Sequence, residues 1–110
     1  MAEQELKEEL KKIEEKAIQV LKTVYDPEIP VDIYNLGLIY DVKVTAEKEV
    51  VVLMTLTAPN CPVADQLPRD VEEKVERIPE VKKAKAIMTF DPPWDQEMMS
   101  EAAKLELGFM

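Results

Sequence analysis

Along the first quarter of the chain, Leu6, Leu10, Ile13, Ala17, Val20 or Leu21, and Val24 recur at intervals of three and four, with Glu and Lys filling the positions between. That period predicts an amphipathic helix with one apolar stripe. It should end near Tyr25, because D-P-E-I-P brings two prolines that remove backbone donors and push the residues before them toward extended backbone. The pattern then changes to a period of two. Leu38, Tyr40, Val42 and Val44 alternate with Asp41 and Lys43, which predicts a strand with one wet face. After the polar turn T-A-E-K-E comes V-V-V-L-M-T-L-T, a nearly continuous apolar run rich in β-branched residues that reads as a more central strand. The two strands should form a hairpin.

Helical spacing returns at Val63, Leu67, Val71, Val75 and Ile78 and predicts a second amphipathic helix running to about Arg77, beginning in earnest near Pro68. I-P-E-V turns into a third strand whose buried face is Ala84, Ala86, Met88 and Phe90, with small alanines that let a helix pack closely. D-P-P-W stops that strand. Met98, Ala102, Leu105 and their neighbours suggest a short last helix ended by Gly108. The order α-β-β-α-β-α predicts a two-layer α/β (α+β) fold, a sheet of about three strands with its helices mainly on one face. The 110 residues suit one domain, 1–110, with a single core.

Charge narrows the function. The 23 Asp and Glu against 14 Lys and Arg leave a net −9, a poor match for nucleic acid or an anionic membrane surface. No apolar stretch approaches the roughly 20 residues a membrane span needs, and the acidic start is unlike a signal peptide, so the cytoplasm is expected. With no histidine, Cys-His dyads, Ser-His-Asp triads and His-ligated metals are excluded. With two glycines, neither a phosphate-cradling loop nor a dinucleotide fingerprint can be built.

What remains centres on T-A-P-N-C-P-V, which holds the one cysteine, Cys61. At a junction between strand and helix, Asn60 can cap the helix, Pro62 can occupy its first turn, and the positive helix end favours a thiolate that binds soft metals or attacks electrophiles. The alternative is that Cys61 is a small apolar core residue. Thr55 and Thr57 either line a polar site at the end of the second strand or fit strand propensity alone. Asp26, Glu28 and Asp32 either offer hard oxygen ligands or proton transfer, or serve as turn and cap residues. Trp94 is either a partner-binding anchor on D-P-P-W or a lid on the core. Met98 and Met99 read as core or interface filler rather than thioether ligands.

D-P-E-I-P-V-D-I-Y-N-L-G-L-I-Y, T-L-T-A-P-N-C-P, D-P-P-W and M-M-S-E-A-A-K-L-E-L-G together, in order and spacing over residues 16 to 108, resemble the iron–sulfur cluster assembly domain family that includes SufT and PaaD-like proteins. The chain lacks the extra cysteine-bearing C-terminal segment of PaaD-like members, so the resemblance is to the stand-alone, SufT-like group. It implies a small α/β fold, a non-enzymatic accessory role in maturing iron–sulfur proteins in the cytoplasm, and Cys61 as the functional thiol. The family's aspartate maps onto Asp26 and its threonines onto Thr55 and Thr57.

A cluster commonly needs four ligands and one chain supplies one thiolate. A labile cluster or iron held between two subunits is therefore expected, with Asp26, solvent, a small thiol or a client completing the coordination. A homodimer, at least transient, follows from that shortage and from the apolar C-terminal segment, and the partners would be iron–sulfur scaffold and client apoproteins. Two other readings stay open. One is an adaptor that binds clients through D-P-P-W and the last helix, with Cys61 structural. The other is a thiol-dependent enzyme with Asp65 as base.

Overall fold

The computed structural model describes residues 2–26, 30–56 and 66–108. Its order is α1 (Ala2–Leu21), β1 (Ile39–Val44), β2 (Glu49–Met54), α2 (Gln66–Glu76), β3 (Lys83–Met88), a 3-10 turn (Gln96–Met98) and α3 (Glu101–Glu106), the α-β-β-α-β-α sequence that the periodicity predicts. The strands lie in the order β1-β2-β3, with β1 antiparallel and β3 parallel to β2.

Register turns the strand alternation into two different faces. Val44, Val50 and Ala84 stand side by side, then Val42, Val52 and Ala86, then Ile39, Met54 and Met88. These rows meet the apolar stripes of α1 (Ile13, Ala17 and Leu21) and α2 (Leu67, Val71 and Val75) in one hydrophobic core. The opposite face carries Glu49 beside Lys83, Val51 between Lys43 and Lys85, and Leu53 between Asp41 and Ile87.

On both outer strands of the sheet, carboxylates take up backbone donors. On β3, the N–H groups of Ala84 and Ala86 donate to Glu76 Oε2 at 3.0 Å and Glu72 Oε2 at 2.9 Å. These glutamates lie four apart on α2, so one helix face both covers the core and occupies the edge. Short alanine side chains permit the close approach. On β1, Asp41 Oδ1 accepts from Val42 N at 2.9 Å. Edges filled in this way resist pairing with a further strand.

Four sequence expectations are corrected. The first helix stops at Leu21 instead of near Tyr25; Thr23 N and Val24 N close its last turn on Val20 O and Leu21 O, and Val24 stays buried from outside the helix. A bulge between Ile39 and Asp41 breaks the alternation of β1, so Ile39 replaces Tyr40 on the core face. An extra residue shifts every side chain before it to the other face, a change that period-two reading cannot register. The third strand ends at Met88, before D-P-P, which leaves Phe90 45% exposed instead of in the core. The C-terminal segment buries Met99, just before α3, and Ala103 within it, while Met98 and Leu105 are exposed. Its Ser100 cap, which accepts from Ala103 N, sets a face one residue along from the expected one.

Candidate functional site

A short ladder of backbone hydrogen bonds gathers several segments at one end of the sheet. Ile33 N donates to Val24 O at 2.8 Å, Leu38 N to Ile33 O at 3.1 Å, and Thr55 N to Leu38 O at 2.8 Å. The loop after α1, the approach to β1 and the exit from β2 are thereby stitched side by side. Tyr25 and Asp32 form an isolated bridge within it.

The three polar or charged residues counted as buried among those described, Asp26, Asp32 and Thr55, all belong to these stitched segments. Their roles differ. Asp32 Oδ2 accepts from Asn35 N at 2.9 Å and its Oδ1 accepts from Asn35 Nδ2 at 2.8 Å, so Asp32 closes a tight turn with both oxygens. Asn35, which the sequence reading did not single out, is its partner; the signal was the D-x-x-N spacing. Asp26 donates its backbone N–H to Val31 O at 3.3 Å and is 9% exposed.

Thr55 is the unusual member. It is wholly buried, and its hydroxyl has no hydrogen-bond partner among the described residues. Leaving a buried hydroxyl unpaired costs about 1–3 kcal/mol, so a threonine there calls for a partner. Thr55 immediately precedes Leu56, after which the chain enters T-A-P-N-C-P-V. Thr57, Asn60, Cys61, Pro62 and Asp65 lie outside the described residues, as does Glu28.

Trp94 occupies the lid position. It is half-buried against the core, and its indole N–H donates to Leu36 O at 2.8 Å. Beside it, Gly37 has φ +86°, and a Cβ at that position would lie 2.4 Å from Met98 O. Glycine is therefore required both for the turn and for the approach of the C-terminal segment. Ser100 N donates to Asn35 O at 2.8 Å, which ties that segment to the turn that Asp32 closes.

The fold and this end of the sheet define a class: a small two-layer α/β domain with buried acidic and hydroxyl groups beside the strand exit that leads to its one thiol. Comparison with known proteins specifies it. Residues 14–86 match the family model described as iron-sulfur cluster assembly protein, and the chain belongs to that family. It is 58% identical over 97 residues to the Fe-S protein maturation auxiliary factor of Porphyromonas gingivalis, covering 88% of this chain and 92% of the relative. It is 42% identical over 85 residues to the Fe-S protein maturation auxiliary factor SufT of Staphylococcus aureus, covering 77% and 97%. The crystal structure of a domain of unknown function, DUF59, from Bacillus anthracis superposes with a TM-score of 0.84 at 40% identity, covering 93% of this chain and 97% of that one.

Proposed function

We propose that this chain, acting as one domain over residues 1–110, is a non-enzymatic accessory factor in the maturation of iron–sulfur proteins. In this reading the Cys61 thiolate is a transient ligand for iron or a cluster that is passed on. Its relatives' names support the role, and the observation that carries the site is Thr55, a wholly buried hydroxyl without a partner among the described residues, at the strand end leading to Cys61. Asp26 adds a buried carboxylate in the adjoining stitched segment.

One thiolate per chain is a small part of the four ligands a cluster commonly takes. Cargo held this way is completed by a second chain, a small thiol or the client, and incomplete ligation suits transfer. Asn60 and Pro62 frame the thiol in sequence and Thr57 follows Thr55 at spacing two; together they are the residues assigned to lining the site. Scaffold and client apoproteins are the partners. None of the described helices is long and apolar enough to cross a membrane, and the reading places the chain in the cytoplasm.

Anaerobic incubation with ferrous iron and sulfide tests this. The wild-type protein should hold iron and gain colour, while Cys61→Ser should hold none and melt at an unchanged temperature, since a neutral hydroxyl replaces a soft anionic sulfur poorly. Cys61 should also alkylate faster near neutral pH than a free cysteine of pKa about 8.5. Equal iron retention by Cys61→Ser would end the thiolate-ligand reading and leave the adaptor.

A further inference from the structure

The outer face of the sheet carries Val51, Leu53 and Ile87 along its middle with Asp41 at the β1 margin, a mainly basic end, and Asp91 beyond the other end. Leu53 and Ile87 sit side by side there, with Ile87 41% exposed. Tyr40 and Met98 extend this surface into an open groove of 730 Å³ that Asp91 and Pro92 also line. Tyr40 reaches this side because of the β1 bulge, and its hydroxyl donates to Pro92 O at 2.8 Å.

Although the chain carries a net −9, the end of this face at the start of β3 is lysine-rich, with exposed Lys43, Lys83 and Lys85 against one exposed carboxylate, Glu49 beside Lys83. The far end carries exposed Asp91. Lys83 precedes Ile87 by four residues, about 13 Å along the strand, and Asp91 follows it by four, past the end of β3 at Met88 where the Thr89 hydroxyl bonds to the Asp91 backbone. The ladder continues past β3, since Thr89 N donates to Met54 O at 2.9 Å.

We infer that this face pairs with a second copy of the same chain, about a two-fold axis passing near Leu53 and Ile87. With that axis lying between the two sheets and running across the strands, positions before the centre face positions after it, so the lysine end of each sheet meets the Asp91 end of the other and the apolar middles stack. This self-complementarity is what an isologous interface demands. It favours a second copy over an unrelated acidic partner, which would need carboxylates opposite the lysines and none of the Asp91 arrangement. Glu72, Glu76 and Asp41 occupy backbone donors on both outer strands, which disfavours edge pairing relative to face stacking. The inference does not rest on the thiol chemistry above, and its test requires no iron.

Sedimentation of the full chain at about 10 to 500 µM, in low salt and in about 0.5 M salt, reads the association directly. A dimer that weakens with salt is expected. Ile87→Asp should leave a monomer at the highest concentration. Lys83→Glu should raise Kd at least about fivefold, because symmetry applies the change twice. Combining it with Asp91→Lys should restore Kd to within about twofold, because the swapped charges meet again across the axis. Lys12→Glu, the same charge change on the exposed side of α1, is the control and should leave Kd nearly unchanged. Circular dichroism of each variant verifies folding. A chain that stays monomeric throughout, a dimer that folded Ile87→Asp leaves intact, or equal weakening by Lys83→Glu and Lys12→Glu would overturn the assignment.

Discussion

On β2, Val50, Val52 and Met54 are wholly buried beneath the helices, whereas their neighbours Val51 and Leu53, one residue away, are half-exposed on the other side of the sheet. Equally apolar residues of one strand thus do two jobs. The covered side is filled by rows in register with the stripes of α1 and α2, so its side chains have no room to move. The open side is apolar without a covering layer. Substitution separates the two most sharply. Met54→Ala should cost about 2–5 kcal/mol by leaving a cavity, and Leu53→Ala less than about 1.5 kcal/mol, because solvent fills the space. Urea denaturation of the two variants measures the gap, and equal losses would mean that the two sides are packed alike.

The next largest effect is expected where the C-terminal segment closes over the approach to β1. Gly37→Ala forces a side chain onto backbone at φ +86° and against Met98 O, so a loss of roughly 2 kcal/mol is expected. The local consequence is distinctive. Trp94, held by Leu36 O next to Gly37, should become more solvent-accessible. A red-shifted tryptophan emission below the melting transition would show that the lid has lifted, and an unshifted spectrum with an unchanged melt would refute the clamp.

A third contrast lies between Glu72 and Glu76 and the many other surface carboxylates of a chain with 23 acidic residues. Those two accept from the edge of β3, so Glu72→Ala should remove a partner from Ala86 N and cost about 1–2 kcal/mol. Glu72→Gln keeps an acceptor oxygen and should cost less. Exposed Glu73→Ala, between them in sequence, should change the melt little. Equal effects at Glu72 and Glu73 would remove the edge-guarding role.

How much of this was legible follows from which signals are periodic. The stripes of α1 and α2 and the alternation of β1 are repeats of one period, and the apolar run of β2 is a sustained composition over several residues; together they placed the helices, the hairpin and the central strand. Single local events carry no period. The bulge that turns Tyr40 outward and the Ser100 cap that selects Met99 over Met98 each shift a pattern by one residue, and the halt of β3 at Met88 cuts one short before Phe90. Glu72 and Glu76 read as solvated charge because their partners are main-chain groups that sequence does not display. At the site, Asp26 and Thr55 were singled out and are buried at the stitched end of the sheet. Asp32 is bound up in the turn with Asn35, which favours its cap reading over its ligand reading. The assignments of Cys61 and its loop neighbours stand on sequence.

The smallest effect is expected at the rim of the covered side, where Lys16 on α1 donates to Glu80 in the turn before β3, joining segments 64 residues apart. The hydrogen bond from the Lys16 ammonium, reinforced by its charge and that of Lys48, holds the Glu80 carboxyl below the ordinary glutamate range. A carboxyl whose pKa is lower folded than unfolded adds stability above the unfolded value, about 4.3, and that contribution fades as pH falls through the lowered folded value. Both partners are partly exposed, so solvent and salt weaken the pair and the gain at neutral pH should be near the limit of a thermal melt. Glu80→Gln should therefore melt slightly below the wild type at pH 7 in low salt. The difference should shrink in about 1 M salt and vanish at a pH below the folded carboxyl's range, where the wild-type group is also neutral. A difference that persists unchanged at that low pH would assign the loss to packing of the turn and remove the ion pair from the account.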